Sequence, residues 1–197
     1  MTVPIWLPLA ILLALGASTF ARIVALRRAG IAAVAIRTGD DAHAFLGRAF
    51  AGLLIGMFLF CAAYAGRPTV IAYFGSLDWL RNIVVAWIGA ALMLAGMLLA
   101  IAAQFAMGRS WRIGVHGSDA TALVSEGAYR FSRNPIYLGV MAAMAGVFLI
   151  APNAATLALS LAAWIAISAQ VRLEEDFLSK RHGEAYAAYC ARTRRWC

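Results

Sequence analysis

Residues 80–107 read LRNIVVAWIGAALMLAGMLLAIAAQFAM. Past Arg81 the stretch holds no charged residue. It exceeds the about 20 mostly apolar residues that carry a helix across a bilayer. That reading decides the fold class: the chain is expected to be an all-α integral membrane protein. Similar runs lie at about 4–26, 44–65, 136–151 and 153–173, giving five expected transmembrane helices. The run at 136–151 is short, and Pro152-Asn153 separates it from the next. The two read as a tight helical hairpin that need not reach the far face at full depth.

Composition agrees. The 197 residues are 63% hydrophobic and 13% charged, with a mean hydropathy of +0.79. Soluble domains carry about a quarter charged residues. No internal repeat or low-complexity linker divides the chain, so one domain is expected. The net charge of +8 does not point to nucleic acid. The basic residues flank apolar runs and form no stripe interleaved with aromatics. Cys61, Cys190 and Cys197 make no CxxC pair and do not read as a disulfide framework or a zinc site. His43, His116 and His182 lack metal-ligand spacing, and no metal is expected; His182 reads as a surface residue. Asp40-Asp41 reads as a solvated turn.

Charge sets the expected orientation. No basic residue precedes the first run, and Arg22, Arg27 and Arg28 follow it. That pattern reads as a first span with its N-terminus outside, and not as a cleaved leader. The outer connections then hold only Arg67 and Arg81 of the seventeen Lys and Arg. By the positive-inside rule the C-terminus and the segment before the hairpin face the cytoplasm, in a cell membrane.

Three polar clusters border the runs on that inner side. The first is GRSWRIGV, 108–115, where Trp111 with Arg109 and Arg112 suits an interfacial anchor as well as a site. The second is GAYRFSRNPIYLG, 127–139. Asn134 is placed to cap the fourth span, with Pro135 in its first turn. Arg130 and Arg133 lie three apart, and Tyr129 and Tyr137 flank the same turn. A helix N-terminus, guanidiniums and aromatic rings suit a ligand with a carboxylate and a flat or cationic group. The third is RLEEDFLSKRHGEAYAAYCARTRR, 172–195. Glu174, Glu175 and Asp176 stand at the inner end of the fifth span, where unpaired acids are costly. An Asp176–Lys180 pair on a solvated helix end is the plain alternative. The hairpin brings the acidic and arginine-rich clusters to one face, which suits a zwitterionic amino-acid moiety.

Gly127 to Tyr137 resembles the G-x-Y-x-x-x-R-H-P-x-Y box of the isoprenylcysteine carboxyl methyltransferase family and the related phospholipid methyltransferases. Leu173-Glu-Glu-Asp-Phe-Leu178, Gly183-Glu-Ala-Tyr186, Tyr189 and Arg195 resemble that family's tail. Gly108-Arg-Ser-Trp111 resembles its G-x-x-W lead-in. The box histidine is Asn134 here, which removes an imidazole from that position. The resemblance implies a five-helix membrane enzyme with a C-terminal cytoplasmic cofactor-binding segment. Residues 1–79 would form the substrate side and 80–197 the methyltransferase core. It implies S-adenosylmethionine as cofactor, S-adenosylhomocysteine as product, and a lipid or lipidated acceptor entering from the bilayer.

The roles implied are specific. Glu174 and Glu175 would hold the cofactor ammonium, and Arg130, Arg133 or Arg195 its carboxylate. Arg133, Arg195 and Glu175 stand as catalytic candidates. Trp111, Tyr129, Arg130, Asn134, Pro135, Tyr137, Glu174, Glu175, Tyr186 and Tyr189 stand as cofactor-binding candidates. Tyr186 and Tyr189 suit packing of a short amphipathic helix equally. O-methylation of a carboxylate is the leading expectation. The alternatives are phospholipid or amine N-methylation, thiol S-methylation, an NADPH-dependent reductase of the sterol-reductase type, and a basic face that only docks lipid or protein. Met57, Phe58, Met93 and Met97 suit acceptor selection or ordinary packing.

Overall fold

The computed structural model describes residues 2–31, 33–34, 42–112 and 123–197. Asp40-Asp41 and His116 lie outside the described residues, as do residues 113–115 of the first cluster. The described residues form six α-helices: α1 (Leu7–Arg28), α2 (Ala42–Gly66), α3 (Ile83–Ala106), α4 (Pro135–Ile150), α5 (Ala154–His182) and α6 (Glu184–Arg192). Four of them, α1, α2, α3 and α5, are long and apolar enough to cross a membrane. The fifth expected span is α4. At 16 residues and about 1.5 Å per residue it falls short of a hydrocarbon core of about 30 Å.

Local chemistry sets the helix ends. Asn82 caps α3, its side chain accepting from the Val85 N–H at 2.9 Å. Gly30, at φ +74°, ends α1, and the Ile31 N–H returns to the Leu26 carbonyl. Buried Asn153 organises the hairpin turn. Its amide accepts from the Ala155 and Thr156 N–H groups and donates to the Ala151 carbonyl at 2.7 Å. The connection from α2 to α3 covers this turn. Leu77 N–H donates to the Pro152 carbonyl, and Ala154 N–H to the Gly75 carbonyl. A short α4 is therefore closed by protein at its far end.

The pairing of α3 with α4 is the most extensive in the molecule. Gly89 and Gly96 on α3 face Gly146 and Gly139 on α4. A Cβ built on Gly89 would come within 2.7 Å of the Gly146 carbonyl oxygen, and one on Gly139 within 2.9 Å of the Ala100 nitrogen. Small residues let helix backbones approach where lipid provides no hydrophobic drive for association. Met57 and Met93 are buried in the adjoining core, Met97 packs against it, and Phe58 is exposed. α5 packs on α2 and α4 and continues past its apolar portion, so Glu174, Glu175 and Asp176 ride on a helix that ends only at His182.

Candidate functional site

The loop before α4 and the tail after α5 are joined at the backbone. Arg133 N–H donates to the Arg194 carbonyl at 2.9 Å. Ser132 Oγ donates to the Arg195 carbonyl at 3.2 Å. The Tyr189 hydroxyl donates to the Tyr129 carbonyl at 2.7 Å. The hairpin thus brings the two clusters together as the sequence led us to expect.

Glu175 is the hub of this junction. One carboxylate oxygen accepts from Arg195 Nε and Nη2 at 2.9 and 2.7 Å. The other accepts from Arg133 Nε at 3.1 Å and faces Asn134 Nδ2 at 3.4 Å. Arg133 Nη1 also donates to the Thr193 carbonyl at 3.0 Å. Burial pushes the Glu175 carboxyl up, but Arg195 and Arg133 outweigh it and hold the group below its ordinary range. The same contact raises Arg195 further.

Glu174, one residue earlier, differs. The Tyr137 hydroxyl donates to its Oε1 at 2.6 Å, and Gln170 Nε2 to the same oxygen at 2.9 Å. Among the described residues no Lys or Arg forms an ion pair with it. Burial pushes its carboxyl up despite the hydrogen bonds from Tyr137 and Gln170. Gln170 also lies 3.5 Å from His43 Nδ1 on α2.

These groups border a cavity of about 730 Å³. Its walls are mainly apolar and draw on α1 to α6, with Phe50, Leu54, Ile136, Ile167 and Leu178 among them. Of the residues expected from sequence, Trp111, Tyr129, Arg133, Asn134, Tyr137, Glu174, Glu175, Tyr186 and Tyr189 line it. Trp111 is buried beside Leu26 and Ala33 and is no lipid-facing anchor. Burial pushes the Tyr189 phenol up to about 12 and raises those of Tyr129 and Tyr186 as well. These phenols are neutral at neutral pH.

Three expectations change. Arg130 is exposed and borders a separate groove with Arg192 and Glu126, because the 3₁₀ turn Gly127–Arg130 turns its side chain away from Arg133. Asn134 occupies the cap position of α4 but its side chain caps nothing. Its Nδ2 donates instead to the Arg195 carbonyl at 3.2 Å, because the docked tail takes the side chain. His182 is half-buried and lines the cavity, because α5 carries its last turn over it. Pro135 opens α4 and is buried. Arg195 reaches the site through Glu175. Asp176 pairs with Lys180 at 2.7 Å on the exposed face.

Sequence reasoning missed Thr19, His43, Gln104 and Gln170, which also line the cavity. A signal was present for the two glutamines, since polar residues inside apolar runs mark functional sites by default. Gln104 Oε1, Gln170 Oε1, Arg112 Nε and Tyr186 Oη are buried without a hydrogen-bond partner, and all four residues border this cavity. Such groups in a native structure call for an explanation.

Comparison with known proteins bears on the same region. Two curated rice proteins, from Oryza sativa subsp. indica and subsp. japonica, are each named a probable protein-S-isoprenylcysteine O-methyltransferase. Each is 30% identical to this chain over 108 residues, covering 53% of this chain and 56% of the relative. The chain thus spans about half the length of the curated relatives it matches. The phospholipid methyltransferase profile matches residues 84–185, from the first turn of α3 to the start of α6. That interval holds the glycine seam, the Arg133 loop and both glutamates, so by its central hairpin and the polar end of its cavity the chain belongs to the phospholipid methyltransferase family.

Proposed function

We propose that this protein transfers a methyl group from S-adenosylmethionine to a lipid-like acceptor within the membrane, leaving S-adenosylhomocysteine. The observation that carries the reading is Glu174: a half-buried carboxylate with no basic ion-pair partner among the described residues, bonded only by Tyr137 and Gln170 at the wall of an apolar, ring-lined cavity. An ammonium supplied by a ligand would stabilise its charge. The volume lies within the about 300–1,000 Å³ of small-molecule sites. The unpartnered Gln170 Oε1 and Tyr186 Oη, near Glu174 and Glu175 in the chain, fit a ligand with several hydrogen-bonding groups.

The cofactor supplies an electrophilic methyl on a sulfonium when bound. The chain's residues bind, orient and exclude water. Glu174 takes the ammonium, held in place by Tyr137 and Gln170. Arg133 and Arg195, fixed by Glu175, present positive charge toward the carboxylate end. Asn134 and Pro135 set the loop. Trp111, Tyr129, Tyr186 and Tyr189 keep water from the reacting atoms. A carboxylate acceptor is already ionised at neutral pH and needs no general base. We favour O-methylation of an isoprenylcysteine-like carboxylate, after the names of the rice relatives. The family's name supports a phospholipid amine as the second reading.

The topology belongs to the same proposal. The chain crosses five times, α4 included, with its N-terminus outside a cell membrane and the cavity's polar end and tail in the cytoplasm.

The test is thermal unfolding of the purified protein in detergent with S-adenosylmethionine, S-adenosylhomocysteine or NADPH. Ligand at a hundredfold its dissociation constant adds about 2.7 kcal/mol to the folded state. The expected result is a rise in melting temperature with both adenosyl compounds and none with NADPH. A rise with NADPH alone would establish a reductase instead. No rise with any of the three would remove the methyltransferase reading and leave a docking protein.

A further inference from the structure

Where α1, α3 and the turn after α3 border the cavity, a second set of polar groups is held by contacts of its own, none of them to Glu174. Gln104 is 4% exposed, and its Nε2 donates to Thr19 Oγ1 on α1 at 3.0 Å. Its Oε1 is buried without a partner. One turn further along α1, Arg22 Nη2 donates to the Gly108 carbonyl just past the end of α3, and the Arg22 guanidinium lies 5.4 Å from the Phe105 ring centroid. These contacts pin α1 to the end of α3 and hold Thr19 against Gln104. Arg112 follows within the same turn. Its Nη1 donates to the Arg109 and Trp111 carbonyls, while its Nε is buried without a partner. Thr19, Gln104 and Arg112 all border the cavity.

We propose that Gln104, Thr19 and Arg112 hold the carboxylate head of the methyl acceptor, a pole distinct from the one at Glu174; this rests on the methyltransferase reading above. Hydrogen-bond arithmetic selects the ligand. Rotating the Gln104 amide by half a turn lets the Thr19 hydroxyl donate to Oε1 and turns Nε2–H into the cavity. Arg112 Nε–H then provides a second donor, and a carboxylate accepts both. That one arrangement satisfies the Gln104 and Arg112 orphans together, while Arg22 Nε, also without a partner, lies off the cavity wall. An ammonium head would leave the Arg112 N–H unpaired and would meet a like charge. The two poles therefore sort the ligands by sign, with an ammonium at Glu174 and an anionic head at Arg112.

The probes are an N-acetylated S-isoprenylcysteine and its carboxamide, titrated by thermal shift against wild type, Gln104→Leu and Arg112→Gln in detergent. S-adenosylhomocysteine is titrated separately against each protein. Wild type is expected to bind the carboxylate more tightly than the carboxamide. Either substitution should weaken carboxylate binding by about tenfold or more, the scale of a lost hydrogen bond to a charged group. Affinity for S-adenosylhomocysteine should stay unchanged, which a merely misfolded variant would not preserve. Thr19→Val, close in shape, should produce a smaller loss of the same kind. Equal carboxylate affinity in wild type and both main variants would overturn the proposal, as would a wild type that binds both probes equally. Failure of S-adenosylhomocysteine to bind wild type would instead remove the methyltransferase reading.

Discussion

Glu174 and Glu175 are neighbours on one helix with opposite surroundings. Glu175 has each carboxylate oxygen bonded to a guanidinium. Glu174 has only neutral donors. The two should therefore respond differently to the same neutral substitution. Glu175→Gln leaves the half-buried Arg133 without its counter-charge, a loss of about 3 kcal/mol for a partly buried pair. The melting temperature should fall, and the tail should become susceptible to protease. Because the folded Glu175 carboxyl titrates below its ordinary 4.5, its contribution is complete above that value. It disappears as the pH falls through the lower folded value. A melting-temperature profile of wild type against Glu175→Gln should converge in that acid window. Convergence at neutral pH would refute the role given to Glu175. Glu174→Gln, in contrast, removes a carboxylate whose charge is unfavourable in the folded protein. Its melting temperature should hold or rise, while affinity for S-adenosylhomocysteine falls at least about tenfold, as for a lost charge-assisted bond. Calorimetric binding beside thermal unfolding measures both effects.

At the scale of elements, the α3–α4 seam depends on the absence of side chains. A Cβ on Gly146 would lie 2.7 Å from Met93 Cβ and 2.9 Å from the Met93 nitrogen. Backbone cannot yield there as the end of a flexible side chain can. Gly146→Val should lower stability by about 1–3 kcal/mol, the cost of overpacking a well-packed interface. Gly52→Ala on α2, where nothing lies within 4 Å, is the neutral control. Unfolding in detergent compares them, and equal melting temperatures would show that the seam yields. The apolar runs made the helices legible, with α1, α2, α3 and α4 found within three residues at each end. The extent of α5 was not legible. Its polar last turns carry no apolar period, and the helix continues because the α6 tail packs against it.

At the scale of the whole molecule, orientation has a direct probe. Cys197 is exposed, Cys190 half-buried and Cys61 buried. In sealed vesicles of known sidedness, a membrane-impermeant maleimide should label Cys197 only when the cytoplasmic face is outward. Labelling from the opposite face would invert the proposed topology. The sequence by itself determined the membrane class, the hairpin at Pro152-Asn153 and the meeting of the Arg133 loop with the tail. Run length and punctuation are local properties, and a short hairpin leaves its ends few places to go. Only the tertiary structure decided which polar groups share the cavity. It turned Arg130 outward, spent Asn134 on the tail, separated Glu174 from Glu175, and brought in Gln104, Gln170 and Thr19. Those outcomes depend on the direction of each side chain once the helices have packed, and the packing is set by contacts such as Gly89 with Gly146, far apart in the chain.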